Sequence, residues 1–296
     1  MTAVLEAHGL GKQYRDQWAL VDCDLVVPAG RVVGLVGPNG AGKTTLLHLA
    51  TGVIKPSQGT ISVFGGKPAD SAEQLARLGF VAQDTPTYAN MSIRDHLKLG
   101  AHMNPRWDAD FAEARISKLG LDPRRKTGKL SGGQRAQVAL TMAVAKRPEL
   151  LILDEPVAAL DPLARREFLE ALMEAVAEGG MSVVMSSHLV SDLELACDYL
   201  VLLANGRLVL SGDVDELLAG HRQLSGTSNT EPLPSGRDVV SARRVGRSAS
   251  LVVRGTQPGY GAGWDVRSVD LEELVLAYMD RAAAGHSGPM ESEVAR

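Results

Sequence analysis

One stretch limits the fold more than any other: "RVVGLVGPNGAGKTTLLHLATG", residues 31–52. It opens with an apolar run, Arg31–Val36, and turns through Gly37, Gly40 and Gly42. It then continues with helical spacing to a terminal glycine. An apolar run without polar alternation suits a strand covered on both faces. A strand that passes through glycines straight into a helix opens a parallel strand–helix unit. Gly37–Thr45 also reads G-x-x-x-x-G-K-[ST], and each residue type has a reason to be there. The glycines let the loop Gly37, Pro38, Asn39, Gly40, Ala41, Gly42 wrap around phosphate with its N–H groups inward. Lys43 would reach the β- and γ-phosphates, and the Thr44 hydroxyl, followed by Thr45, would face Mg2+. The helix start adds the positive end of its dipole. This is a nucleoside triphosphate site, and by itself it does not separate kinase, GTPase and ATPase.

A second acidic motif fits that chemistry. "LLILDEP" places Asp154 and Glu155 at the end of an apolar strand. In a parallel sheet the carboxyl ends of the strands face the ligand crevice. Asp154 is placed to hold Mg2+, and Glu155 to accept a proton from an attacking water. A third motif, "LSGGQRAQV" at residues 130–138, offers Ser131, Gly132, Gly133 and Gln134 at a helix start. A capping serine before two glycines presents bare N–H groups to an anion. One chain therefore carries two phosphate-seeking turns.

The remaining organisation follows from periodicity. Val4–Ala7, Ala19–Val27 and Thr60–Phe64 read as strands separated by Gly, Pro and Asp. Residues from about 91 to 146 read as a helical insertion, and strand–helix alternation then resumes. "YLVLLANGRLVLSG" reads as a hairpin with Asn-Gly at its turn. Residues 1–221 form one unit on this reading, 222–236 a polar linker, 237–282 a small α+β region and 283–296 a disordered tail. Within 237–282, two short strands precede a capped amphipathic helix, "VDLEELVLAYMDRAA". No internal repeat is visible.

Composition removes several classes. A net charge of −4 argues against a dedicated nucleic-acid binder. Cys23 and Cys197 form no metal-ligand or redox spacing. The N-terminus lacks the pattern of a signal peptide, and the apolar runs are too short to cross a bilayer. A basic cluster of Arg237, Arg243, Arg244, Arg247 and Arg254 reads either as a surface for lipid headgroups or a membrane partner, or as a solvated face.

These motifs, taken together and in this order, resemble the ATP-binding subunits of ABC transporters over about residues 4–220. The loop Gly37–Thr45 comes first, then Gln83 in "FVAQD" and "LSGGQ" at Leu130–Gln134. "LILDEP" at Leu151–Pro156, "AALD" at Ala158–Asp161 and His188 in "SSH" follow. "LSGGQ" is that family's signature. The resemblance implies an α/β P-loop NTPase (RecA-like) core, an N-terminal antiparallel β subdomain, a helical signature subdomain and a small α+β C-terminal extension. It implies that Tyr14 stacks on adenine, although Trp18 in the same stretch could present its ring instead. Gln83 would touch Mg2+ or the attacking water, and His188 would contact the γ-phosphate and help hold Glu155. Ser131–Gln134 would close over the ATP of the opposite subunit, with Asp161 in the loop at the dimer interface. Many relatives carry Thr-Ser where this chain has Val157 and Ala158, so a side-chain hydrogen bond across the dimer at Ala158 is not expected.

The implied cofactors are ATP and Mg2+. The implied partners are an integral-membrane permease on a separate chain and a second ATP-binding subunit, identical or not, with no nucleic acid. The implied location is the cytoplasmic face of the cell membrane. "NPRWD" at Asn104–Asp108 and "VDLEELVLAYM" at Val269–Met279 resemble stand-alone bacterial exporters of drugs, antibiotics or bacteriocins. Other readings are a soluble ABC ATPase on ribosomes or DNA, or an ATP-gated regulator of a membrane protein. A single cassette without a coiled-coil insertion disfavours the first of these.

Overall fold

The computed structural model describes residues 2–84, 87–227, 239–255 and 264–284. The chain begins with two long strands, β1 (Ala3–Tyr14) and β2 (Gln17–Pro28), followed by the fully buried β3 (Val32–Val36). Helix α1 (Lys43–Ala50) leaves the glycine loop directly after β3. Then come β4 (Gln58–Val63), α2 (Ala72–Arg77) and β5 (Leu78–Val81). β1 lies between β2 and β4 in a three-stranded antiparallel sheet. The sequence suggested only Val4–Ala7 for the first strand. The real strand runs to Tyr14 because β2 pairs with it along its full length, which compensates for the polar residues of its second half.

The helical segment is α3 (Ile93–Met103), α4 (Ala109–Lys118) and α5 (Gly132–Ala145). Each start is capped by its own side chain: Ser92 pairs with Asp95 and Ser131 with Gln134 in reciprocal boxes, and Asp108 accepts from the Phe111 amide. Ile93, Ile116, Leu121, Leu130 and Val138 form a separate small core here. The main sheet resumes with β6 (Leu150–Leu153), α6 (Pro162–Gly179), β7 (Ser182–Ser187), α7 (Val190–Glu194), β8 (Tyr199–Ala204), β9 (Arg207–Asp213) and α8 (Val214–Ala219). Its strand order is β5-β6-β7-β3-β8-β9, parallel except for β9. The β8–β9 hairpin turns at Asn205 and Gly206, both at positive φ, the conformation that an Asn-Gly turn favours. β3 sits between β7 and β8, so the phosphate loop emerges at the centre of the sheet.

The C-terminal part is β10 (His221–Thr227), β11 (Val239–Val245), β12 (Ser248–Arg254), β13 (Asp265–Ser268) and α9 (Leu271–Ala284). The four strands form an antiparallel sheet in the order β11-β12-β10-β13. This corrects the linker expected over 222–236: residues 222–227 belong to β10, paired on both sides. The polar side chains hid it, because Leu224 is the one large apolar residue in the strand and both partners come later in the chain. Residues 228–236 lie outside the described residues. α9 continues to Ala284, two residues into the expected tail, and the rest of that tail is likewise outside them.

Leu274, Val275 and Tyr278 of α9 share one core with Leu200, Leu202 and Leu210 of the main sheet. The extension is thus packed on the unit that holds the phosphate loop. Of the basic cluster, Arg243 pairs with Asp280 on α9, and Arg237 lies outside the described residues. No helix among the described residues is long and apolar enough to cross a membrane.

Candidate functional site

The phosphate loop is held in shape by steric exclusion. Gly42 has φ 102°, and a Cβ there would lie 2.5 Å from the Ala19 carbonyl oxygen. A Cβ on Gly37 would lie 2.1 Å from the carbonyl oxygen of Leu203 on β8. Only glycine fits either position. Lys43 is nearly fully buried, and its Nζ donates to the Gly37 carbonyl at 2.8 Å. Pro38, Asn39 and Gly40 are exposed on the lip, Ala41 is buried beneath it, and Thr44 is exposed beside Thr45. Asn39–Thr45 line a cleft of about 540 Å3.

Across that cleft stands Glu155. Its φ of 44° puts a non-glycine residue in the left-handed region, which costs about 1–3 kcal/mol. The cost is met by neighbours that fix the turn. The Glu155 amide donates to Ser186 Oγ at 2.8 Å, and the Ser186 hydroxyl donates to Asp154 Oδ1 at 2.7 Å. Lys43 Nζ lies 3.4 Å from Glu155 Oε1, and His188 Nδ1 lies 3.2 Å from Glu155 Oε2. Glu155 and His188 both line the cleft, as does Gln83. Asp154 is 1% exposed and stands behind them, with its amide bonded to the Val81 carbonyl at 2.9 Å.

Ser186 is the residue that sequence reasoning missed. It lies within "SSH", where the motif assigns a task to His188 alone. The available signal is a pair of hydroxyls closing the strand "SVVMSS" just before that histidine. Ser186→Ala removes the donor to a buried carboxylate and the acceptor for a strained amide. We expect a loss of about 1–3 kcal/mol in stability, measured by urea unfolding.

The structure separates the two aromatic candidates. Tyr14, at the end of β1, is 47% exposed and lines the cleft. Trp18 packs against Gly11, where a Cβ would lie 3.0 Å from the indole, and it is not among the lining residues. Lys12 Nζ sits 5.3 Å from the Tyr14 ring centroid.

Ser131, Gly132, Gly133 and Gln134 are not part of this cleft. Ser131 Oγ accepts from the Gln134 amide at 3.2 Å, and Gln134 Oε1 accepts from the Ser131 amide at 3.1 Å. Gly132 and Gly133 lie in the first turn of α5, where amides have no preceding helical carbonyl to bond. The Gly133 Cα faces α6: a Cβ there would lie 2.9 Å from Ala164 Cβ. Asp161 caps α6, its Oδ1 accepting from the amides of Leu163 and Ala164 at 3.1 and 3.0 Å. Val157 and Leu160 anchor the intervening loop in the main core, so its placement does not depend on a hydroxyl at Ala158.

Among the described residues no group of three or more His, Cys, Asp or Glu side chains could hold a metal ion. An ion at this cleft would rest on mixed oxygen donors. The Thr44 hydroxyl, the Gln83 amide oxygen and Asp154 make such a hard donor set, which suits Mg2+. Burial raises both thiols above their ordinary range, Cys197 to about 12, so neither supplies a thiolate here.

Comparison with known proteins places this geometry among its relatives. The family model "ABC transporter" matches residues 20–158. The molybdenum import ATP-binding protein ModC of Aromatoleum aromaticum is 36% identical over 208 residues, 67% of this chain and 55% of that protein. The chain thus spans about half the length of that relative. The thiamine import ATP-binding protein ThiQ of Vibrio parahaemolyticus is 34% identical over 214 residues, 71% of this chain and 92% of that protein. The lantibiotic transport ATP-binding protein SrtF of Streptococcus pyogenes is 29% identical over 243 residues, 81% of this chain and all of that protein. A solved ATP-binding subunit of an ABC transporter superposes with a TM-score of 0.65 at 30% identity, covering 73% of this chain and 92% of that one.

Proposed function

The chain belongs to the ABC transporter family as an ATP-binding subunit, an ATPase, and from that premise we propose that two cassettes close head to tail over two ATP molecules. The observation that carries this is the separation of the two phosphate-seeking turns. Asn39–Thr45 line the cleft and Ser131–Gln134 do not, which supports two half-sites in one chain. In the closed pair, Gly132 and Gly133 present their amides to the γ-phosphate held by the partner copy's loop. Asp161 shapes the start of α6 at the same face by capping it.

Each side chain has a task in this reading. Tyr14 stacks on adenine. Lys43 exchanges the Gly37 carbonyl and Glu155 for the β- and γ-phosphates. Thr44, Gln83 and Asp154 would hold Mg2+, which when bound neutralises charge on the phosphates. Glu155 accepts the proton of the attacking water, and His188 fixes the orientation of Glu155 through Oε2. Closure with ATP and release after hydrolysis would alternate a separate permease between two states, since ATP binds the closed pair more tightly than the open one.

The named relatives serve molybdenum import, thiamine import and lantibiotic transport, so cargo and direction are open to either sense. We infer export of a drug, antibiotic, peptide or lipid-like compound, at the cytoplasmic face of the cell membrane. Its support is the match to the lantibiotic transport protein, which extends over 81% of this chain. ATP-dependent movement of a candidate compound, in vesicles holding the chain with the membrane protein that copurifies with it, tests this; ATP-driven uptake in the import sense would overturn it.

The adenine contact has its own test. Tyr14→Ala should weaken ATP binding about tenfold, because base–aromatic stacking contributes about 1–3 kcal/mol. Trp18→Ala should leave affinity within about twofold, since its ring is turned to Gly11. Equilibrium titration of both variants with a fluorescent ATP analogue checks the pair, and the reverse ranking would move the adenine to Trp18.

A further inference from the structure

His188 has little packing to aim it. Its side chain is 40% exposed where it lines the cleft, yet Nδ1 stands 3.2 Å from Glu155 Oε2. A side chain so exposed takes its direction from the backbone that carries it and from the hydrogen bonds behind that backbone. Here one hydroxyl ties the turn on both sides of the histidine. Ser187 Oγ accepts the Leu189 amide at 3.0 Å, which bridges over His188. The same hydroxyl lies 3.1 Å from Asp192 Oδ2 and 3.0 Å from the Leu189 carbonyl oxygen. It has one hydrogen to give, and a carboxylate draws it more strongly than a neutral carbonyl.

Asp192 is itself held from two sides. It is buried on α7, and a buried carboxylate needs a countercharge. Arg165 of α6 supplies one, with Nη1 3.3 Å from Asp192 Oδ1. The next residue, Leu193, is fully buried against β3: a Cβ on Gly34 would lie 3.0 Å from Leu193 Cδ1. Asp192 therefore rides on a helix seated directly on the strand that feeds the phosphate loop. One position before Ser187, Ser186 accepts the Glu155 amide. Consecutive hydroxyls thus anchor the two members of the Glu155–His188 pair, one each.

We propose that Ser187 and Asp192 are positioning residues for hydrolysis. Asp192, with Arg165 as its countercharge, orients the Ser187 hydroxyl, and that hydroxyl fixes the turn that aims His188 at Glu155. Neither Ser187 nor Asp192 lines the cleft, so both act through the histidine. The proposal rests on the reading above in which His188 orients Glu155. It goes beyond that reading by naming the side chains that set His188 in place.

The test uses the purified full-length chain. Ser187→Ala removes the bridge over His188, Ser187→Thr keeps a hydroxyl there, and Asp192→Ala removes the acceptor. Ser187→Ala and Asp192→Ala should each lower turnover at saturating ATP about tenfold. ATP affinity of the monomer should stay within about twofold, because neither residue is in the cleft. Ser187→Thr should keep most of the parent rate. In a His188→Ala background the further loss from Ser187→Ala or Asp192→Ala should fall below about twofold, because the histidine they aim is gone. A merely structural role would take the same tenfold in either background. Single-turnover hydrolysis with excess enzyme measures the slow variants. Ser187→Ala carries the test should Asp192→Ala, which strands Arg165, fail to fold by circular dichroism. Parent-like turnover in Ser187→Ala or in folded Asp192→Ala would overturn the proposal. So would an equal loss in both backgrounds, or a Ser187→Thr as impaired as Ser187→Ala. His188→Ala at the parent rate would overturn the reading of His188, and the proposal with it. A slow His188→Ala beside a parent-like Ser187→Ala would overturn the proposal alone.

Discussion

Glu155→Gln should stop turnover and leave two chains locked together by ATP. The amide cannot take a proton from water, and loss of a positioned general base costs about 10²–10⁴-fold. The structure adds a reason for tighter ATP binding. In the parent chain Lys43 lies 3.4 Å from Glu155 Oε1 while donating to the Gly37 carbonyl at 2.8 Å. An incoming phosphate must compete with the carboxylate for that ammonium, and glutamine removes the competitor. The turn itself survives the substitution, because the amide of residue 155 is held by Ser186 rather than by its own side chain. Size-exclusion chromatography with ATP, with ADP and without nucleotide reads the result. A dimer with ATP alone is expected. A variant that stays monomeric with ATP and hydrolyses it at the parent rate would end the assignment of Glu155.

Gly133→Asp should abolish closure and hydrolysis while the monomer still binds ATP. The new carboxylate would stand at a helix start where the partner's γ-phosphate is to be received. Two like charges at such a distance repel by several kcal/mol once water is excluded. Because Gly133 lies outside the cleft of its own chain, ATP affinity of the monomer should change by less than about twofold. The structure sharpens this experiment, since any Cβ at residue 133 meets Ala164 on α6 at 2.9 Å. Gly133→Ala separates the two causes: it carries the contact without the charge. We expect the alanine variant to keep much of its dimerisation and the aspartate variant to lose it. Equal loss in both would mean that packing against α6, not charge, controls closure. Loss of monomer ATP binding in Gly133→Asp would contradict the division of the two turns.

Most of the residues that meet in the cleft were legible in the sequence. The spacing of Gly37, Gly42 and Lys43 is a local pattern, although the contacts that exclude a Cβ at the two glycines come from the distant Leu203 and Ala19. The Asn205-Gly206 turn and the capping boxes at Ser92 and Ser131 are local too, and they were readable for the same reason. β10 was not, because polar residues such as Gln223 and Ser225 become strand only when β12 and β13 pair with them. Ser186 was not, because its partners Asp154 and Glu155 lie more than thirty positions earlier, just past the end of the neighbouring strand β6.

The sequence by itself determined the reaction class. A glycine loop with lysine and threonine, a strand-end acid pair and a capped "LSGGQ" turn mark an ATPase of this family by residue types and order together. Tertiary structure decided which of these meet. It turned Tyr14 rather than Trp18 into the cleft, set Asp154 behind Glu155, and left Ser131 outside the cleft. Those outcomes depend on the pairing of distant strands and the docking of helices. Such contacts have energies fixed by distance and burial in space, and no short stretch of chain contains both partners.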